Sequence, residues 1–164
     1  LKLAYLTYSI ILVVLVENCF AQNSLQYPSN IFNSDTCCWR TLSAEGKYRE
    51  AANLIIHYKR QNTNVNKHSL NWHAGQLFAK AGDTKQAEKY MKKTYSVLYK
   101  WFGGSDGAQW YYFAKGTLAF VERRKNRMER IISKWQRKYE QDGNYHELIK
   151  LHSNWDKPYA EAYK

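Results

Sequence analysis

Between Ser69 and Leu98 the apolar positions recur three and four residues apart, the spacing that gathers side chains on one face of an α-helix. Leu70, Ala74, Leu77, Phe78 and Ala81 make the first stripe, and Ala87, Tyr90, Met91, Thr94 and Leu98 make the second. Gly82–Asp83 separates them. Glycine suits the left-handed turn that ends a helix, and Asp83 followed by Gln86 has the layout of a capping box opening the next. Two helices joined by so short a turn predict an antiparallel pair over 68–99. The same order occurs upstream: Cys38, Trp39, Leu42 and Ala44 lead to Gly46, and the next helix carries Leu54, Ile55 and Tyr58. This predicts a pair over 35–61.

A third pair is predicted over 108–140. It follows the loop 103–107, with Asp106 and Gln109 as its cap, and turns at Arg123–Arg124–Lys125. Met128, Ile131, Ile132, Trp135 and Tyr139 stripe its second helix. A shorter helix from Tyr145 to His152 and a segment around Pro158 form a C-terminal cap over 145–164. Only two prolines and few turn clusters weigh against a many-stranded β sandwich, so the expected fold class is all-α, built of stacked antiparallel helix pairs.

A helix-pair unit recurring every 34–40 residues or so is the mark of a solenoid repeat. Gly75, Phe78, Gly82, Asp83, Ala87 and Met91 stand at the relative spacing of the tetratricopeptide repeat (TPR), and Leu42, Gly46, Tyr48, Ala51 and Ile55 stand in register with them. The third copy keeps Gly116 but has Arg123 at the turn glycine and Met128 at the packing alanine. Over about 33–140 the chain therefore resembles the TPR family, although no copy ends in that family's usual proline. The alternative is an ordinary helical bundle. The resemblance implies a non-catalytic scaffold that holds a protein or peptide in a groove lined by the first helix of each pair. By register those positions are Arg40 and Ser43, then Trp72, Gln76 and Lys80, then Trp110, Phe113 and Thr117.

The N-terminus reads differently. Lys2, a mostly apolar run from Leu3 to Val16, and small residues at Cys19 and Ala21 have the layout of a secretory signal peptide over 1–21. The apolar run is short for a membrane span, which needs about 20 residues. Export, periplasmic or secreted, is therefore expected, leaving 22–164 as one helical domain with no transmembrane span; the alternative is a segment retained as an N-terminal anchor. Of the three cysteines, Cys37 and Cys38 remain in it. Adjacent cysteines suit a normal disulfide poorly, so one is expected to pack as a small hydrophobe and the other to be free for a mixed or intermolecular bridge.

Charge adds a second candidate surface. Lys and Arg number 25 against 14 Asp and Glu, a formal net charge of +11. Arg123, Arg127, Arg130, Lys134, Arg137 and Lys138 recur at helical spacing opposite the apolar stripe. Such a face attracts anions; in an exported protein it fits an anionic polymer or membrane surface better than nucleic acid. Chemistry is sparse. The histidine pairs His68/His73 and His146/His152 lack the three- or four-residue spacing that aims two rings at one point, and no nucleophile, phosphate-loop or dinucleotide motif occurs. No catalytic residue, metal ligand or cofactor is expected.

Overall fold

A computed structural model describes residues 26–139 and 141–163, without the side chains of 105, 138 and 139. The expected signal segment 1–21 lies outside the described residues. Among these every regular element is helical. The chain divides into two compact units, one ending at Val65 and the other beginning at Asn66.

The first unit holds α1 (Ser29–Phe32), α2 (Trp39–Ala44) and α3 (Tyr48–Gln61). Ala51, Ala52, Leu54, Ile55, Ile56 and Tyr58 are the buried face of α3. Phe32 stacks on Tyr58 with ring centroids 3.6 Å apart, and the Tyr58 hydroxyl donates to the carbonyl of Tyr27 at 3.0 Å. Cys38 is fully buried, as expected for one of the pair, but it is joined to Cys37 in a vicinal disulfide rather than leaving a thiol free.

In the second unit α4 (Lys67–Lys80) packs against α5 (Thr84–Met91) across Gly75. A Cβ at Gly75 would sit 2.6 Å from Met91 Cγ and 3.1 Å from the Met91 nitrogen, so a hydrogen there is what lets the two helices approach. Asn66 and Asp83 cap the two helices through side-chain oxygens that accept from Ser69 and Gln86 backbone N–H groups. Next come α6 (Val97–Phe102), α7 (Gly104–Val121), α8 (Lys125–Tyr139), α9 (Gly143–Ser153) and α10 (Tyr159–Ala162). Helix α7 is the centre: α5, α6, α8 and α9 all pack on it. Gly116 plays the part that Gly75 plays earlier, since a Cβ there would lie 2.5 Å from Leu148 Cδ2 of α9.

Two boundaries differ from the pattern. The helix expected to run through Leu98 stops at Met91, tightens into a 3-10 turn over Lys92–Thr94, and straightens at Tyr95 and Ser96. Ser96 then caps α6, accepting from the Tyr99 N–H at 3.0 Å. The third pair begins at Gly104 rather than at the Asp106 cap, because Gly104 takes φ +64° and starts the helix directly after the α6 end.

Three turns share one geometry. Gly46 and Gly82 have φ +78° and +75°, and Arg123, the residue in their place in the third pair, has φ +57°. In each the following N–H bonds five residues back: Lys47 to Leu42, Asp83 to Phe78 and Arg124 to Ala119, at 2.8–2.9 Å. This is the Schellman termination. A left-handed conformation costs a non-glycine residue roughly 1–2 kcal/mol. At Arg123 the side chain offsets it, donating to the carbonyls of Trp155 and of Lys157, the latter at 2.8 Å, and lying over the rings of Phe120 and Trp155.

The C-terminal segment folds back onto α4. Gln76 Nε2 donates to the Tyr159 hydroxyl at 3.4 Å, and Tyr159 also meets Phe120. Burial, reinforced by Tyr163, pushes the Tyr159 pKa upward from its ordinary value near 10 against the opposing Gln76 hydrogen bond; burial also raises Tyr163 and Tyr95. A raised folded-state pKa gives stability that is complete below the unfolded pKa, about 10, and is lost as pH climbs above it. We expect the urea midpoint to fall above that pH, and Tyr159→Phe to flatten the decline. Equal alkaline slopes in the two proteins would remove Tyr159 as a cause.

Candidate functional site

Register places the groove residues Trp72, Gln76 and Lys80 on α4 and Trp110, Phe113 and Thr117 on α7. Three of the six are interior. Trp72 and Phe113 are buried with ring centroids 5.4 Å apart, and Thr117 is fully buried. Trp110 is half-buried beside them, 4.9 Å from Trp72 and 5.2 Å from His68. Its Nε1 donates to the Thr94 carbonyl at 2.6 Å, and His68 Nε2 lies 2.7 Å from the same oxygen. A carbonyl only accepts, so the proton sits on His68 Nε2. The structure thus gathers Trp72, Trp110 and Phe113 into a packing cluster that ties α4, α7 and the 3-10 turn together. Trp72, Phe113 and Thr117, which register assigns to the groove, are thus engaged in packing, while Trp110, Gln76 and Lys80 stay partly open. Gln76 is half-buried and engaged by Tyr159; Lys80 is half-buried. In the first unit Arg40 and Ser43 are half-buried; Arg40 lies over the Trp39 ring, bonds the Asn33 carbonyl and pairs with Asp35 at 3.5 Å.

The basic positions separate into two sets. Arg123 is the staple described above. Arg127 bonds Glu122 at 2.9 Å, and Arg124 reaches the same carboxylate at 3.3 Å. Glu122, whose side chain is almost wholly covered, is shared by the two guanidinium groups. Further along α8 the picture changes. Arg130, Lys134 and Arg137 are exposed, and no carboxylate pairs with any of them among the described residues. Among the described residues Arg130 and Arg137 bond carbonyls of their own helix, Asn126 at 3.1 Å and Ser133 at 3.2 Å. Glu129, the acidic residue among them, is turned to His152, 3.3 Å away. Lys138 falls outside the described side chains.

The α8 face follows from its sequence. Met128 and Trp135 are fully buried and Ile131 is buried, so the helix is fixed in rotation and the cations are driven to the opposite side. Lys125, which the sequence pattern did not single out, is exposed at the start of the same helix. A second missed feature is α6, where Val97, Leu98, Trp101 and Phe102 are exposed. Its signal was present, two apolar pairs four residues apart after a capping serine, but it was absorbed into the preceding stripe.

Compared with protein-family models, with curated proteins and with solved structures, the chain gives no match. Its class is set by its own coordinates: an all-α protein. No helix among the described residues is long and apolar enough to cross a membrane.

Proposed function

We propose that the chain is a non-catalytic, TPR-like helical-repeat module of an exported protein. Its working surface is the basic face of α8, which binds an anionic polymer or a headgroup surface. The repeat reading is supported by the common turn at Gly46, Gly82 and Arg123 and by the close approach at Gly75. The binding reading rests on one observation: Arg130, Lys134 and Arg137 are exposed without a carboxylate among the described residues, whereas Trp72, Phe113 and Thr117 are committed to packing. Unpaired cations on one face sum their fields and draw a polyanion to them. A peptide-binding groove is the alternative scored by the same experiment.

The test is titration of the chain with labelled dextran sulfate, with neutral dextran as the control. The variant Arg130→Gln/Lys134→Gln/Arg137→Gln removes three surface attractions of roughly 1 kcal/mol each, so its affinity should drop about a hundredfold at ~0.05 M salt. Its unfolding midpoint should not move. Equal affinity of the two proteins for dextran sulfate would sink the reading and leave the groove as the better one.

A further inference from the structure

The strongest unexplained feature of the surface is α6. Its relative exposures are 59% at Val97, 70% at Leu98, 71% at Trp101 and 84% at Phe102. Val97 and Trp101, like Leu98 and Phe102, are four residues apart and therefore share one side of the helix. Soluble surfaces scatter single apolar residues; four large ones gathered on a six-residue helix make a contiguous patch of the kind that marks a contact.

We propose that α6 inserts into the interfacial layer of an anionic lipid bilayer. The charge around the patch selects this occupant. Lys93 lines the shallow cleft that also holds Ser96 and Tyr99, and Lys100 lies within 5.3 Å of the rings of Trp101, Tyr111 and Tyr112. No carboxylate occurs in the sequence between Glu88 and Asp106, and Glu88 is held by Lys92. An apolar tip of Trp, Phe, Leu and Val bordered by lysines and tyrosines has the composition that settles at the headgroup–acyl boundary: apolar side chains enter the acyl region, aromatic rings sit at headgroup depth, and ammonium groups stay with the phosphates. The net charge of +11 draws the whole chain to such a surface. The site lies on a different helix from the α8 face, so either reading can fail alone.

Of the six tryptophans, Trp101 is exposed while Trp39, Trp72 and Trp135 are buried and Trp110 and Trp155 half-buried. Trp101 is therefore a built-in depth probe. The experiment uses the full chain with phosphatidylcholine vesicles, with and without phosphatidylserine, and with lipids brominated along the acyl chain. We expect sedimentation with the phosphatidylserine vesicles, reduced at least about tenfold by Trp101→Ser/Phe102→Ser, since two large apolar side chains no longer leave water. Brominated lipid should quench part of the emission of the native chain, and Trp101→Phe, which keeps an apolar ring, should abolish that quenched part while still sedimenting. Because the quenching reports Trp101 itself, membrane contact made by any other segment does not imitate it. Unquenched Trp101 emission, or equal sedimentation of native and Ser variants, overturns the proposal. So does a native dimer in sedimentation equilibrium that the Ser variant converts to monomer without any lipid, which would assign the patch to a second copy. Loss of dextran sulfate binding in the α8 variant leaves this proposal untouched.

Discussion

Replacing Trp135 with alanine should lower the stability of the unit beginning at Asn66 by about 3–5 kcal/mol, the range for emptying a buried tryptophan site. Trp135 is fully buried on α8. Its ring stacks beside Tyr112 of α7 at 6.2 Å and meets Tyr145 of α9 edge-on at 5.6 Å. Three helices converge on one side chain, so none can close the space without giving up contacts with the other two. A loss of this size is a large part of the 5–15 kcal/mol that separates a typical folded domain from its unfolded chain. Phenylalanine should behave differently. The indole Nε1 is buried with no acceptor among the described residues, and an unsatisfied buried donor costs about 1–3 kcal/mol. Trp135→Phe removes that donor along with part of the ring, so its net cost should be under about 2 kcal/mol. Urea unfolding of the two variants beside the native chain checks both values. Equal destabilisation by Ala and Phe would mean that the missing acceptor has no energetic weight.

The second large effect concerns Gly116. An added Cβ would meet Leu148 Cδ2 at 2.5 Å, Cδ1 at 2.8 Å and Cγ at 3.2 Å, and Leu148 is itself fully buried. Alanine gains up to about 1 kcal/mol of helix propensity over glycine, but overpacking a filled core costs about 1–3 kcal/mol. With three carbons inside contact distance, the clash should win, and Gly116→Ala should destabilise. In a Leu148→Ala background the same change meets no such carbons and should become neutral or favourable. The double-mutant cycle should therefore return a coupling of about 1–2 kcal/mol. Additive effects would show that α7 and α9 separate freely at this point.

Much of the helical plan was legible. The stripes at 70–78 and 128–135 give α4 and α8 their buried faces, and the turn residues give their ends. Even Arg123 stood at the turn position, although its residue type argued against a left-handed conformation. The carbonyls that hold its guanidinium come from Trp155 and Lys157, more than 30 residues away, and local sequence carries no trace of them. The burial of Trp72, Phe113 and Thr117 was illegible for a related reason. Helices α4 and α7 are apolar around most of their circumference, so periodicity does not say which side stays open. That side is decided by distant packing, such as Tyr159 reaching Gln76 across 83 residues. Helix α6 was hidden because Thr94 and Leu98 continue the stripe of α5 numerically. The chain leaves the helix in between, at extended Tyr95 and Ser96. The cations of α8 were readable as a row, but which were spent on Glu122 and which faced outward needed three dimensions.

The most direct measurement of the central claim is a salt series for dextran sulfate binding, from ~0.05 to ~0.5 M, run on the native chain and on Arg130→Gln/Lys134→Gln/Arg137→Gln. Each cation that displaces a counterion from a polyanion adds about one unit to the slope of log affinity against log salt. A steep native line is expected, with a variant line shallower by about two to three units and the two converging at high salt. Parallel lines, or a native affinity indifferent to salt, would contradict it.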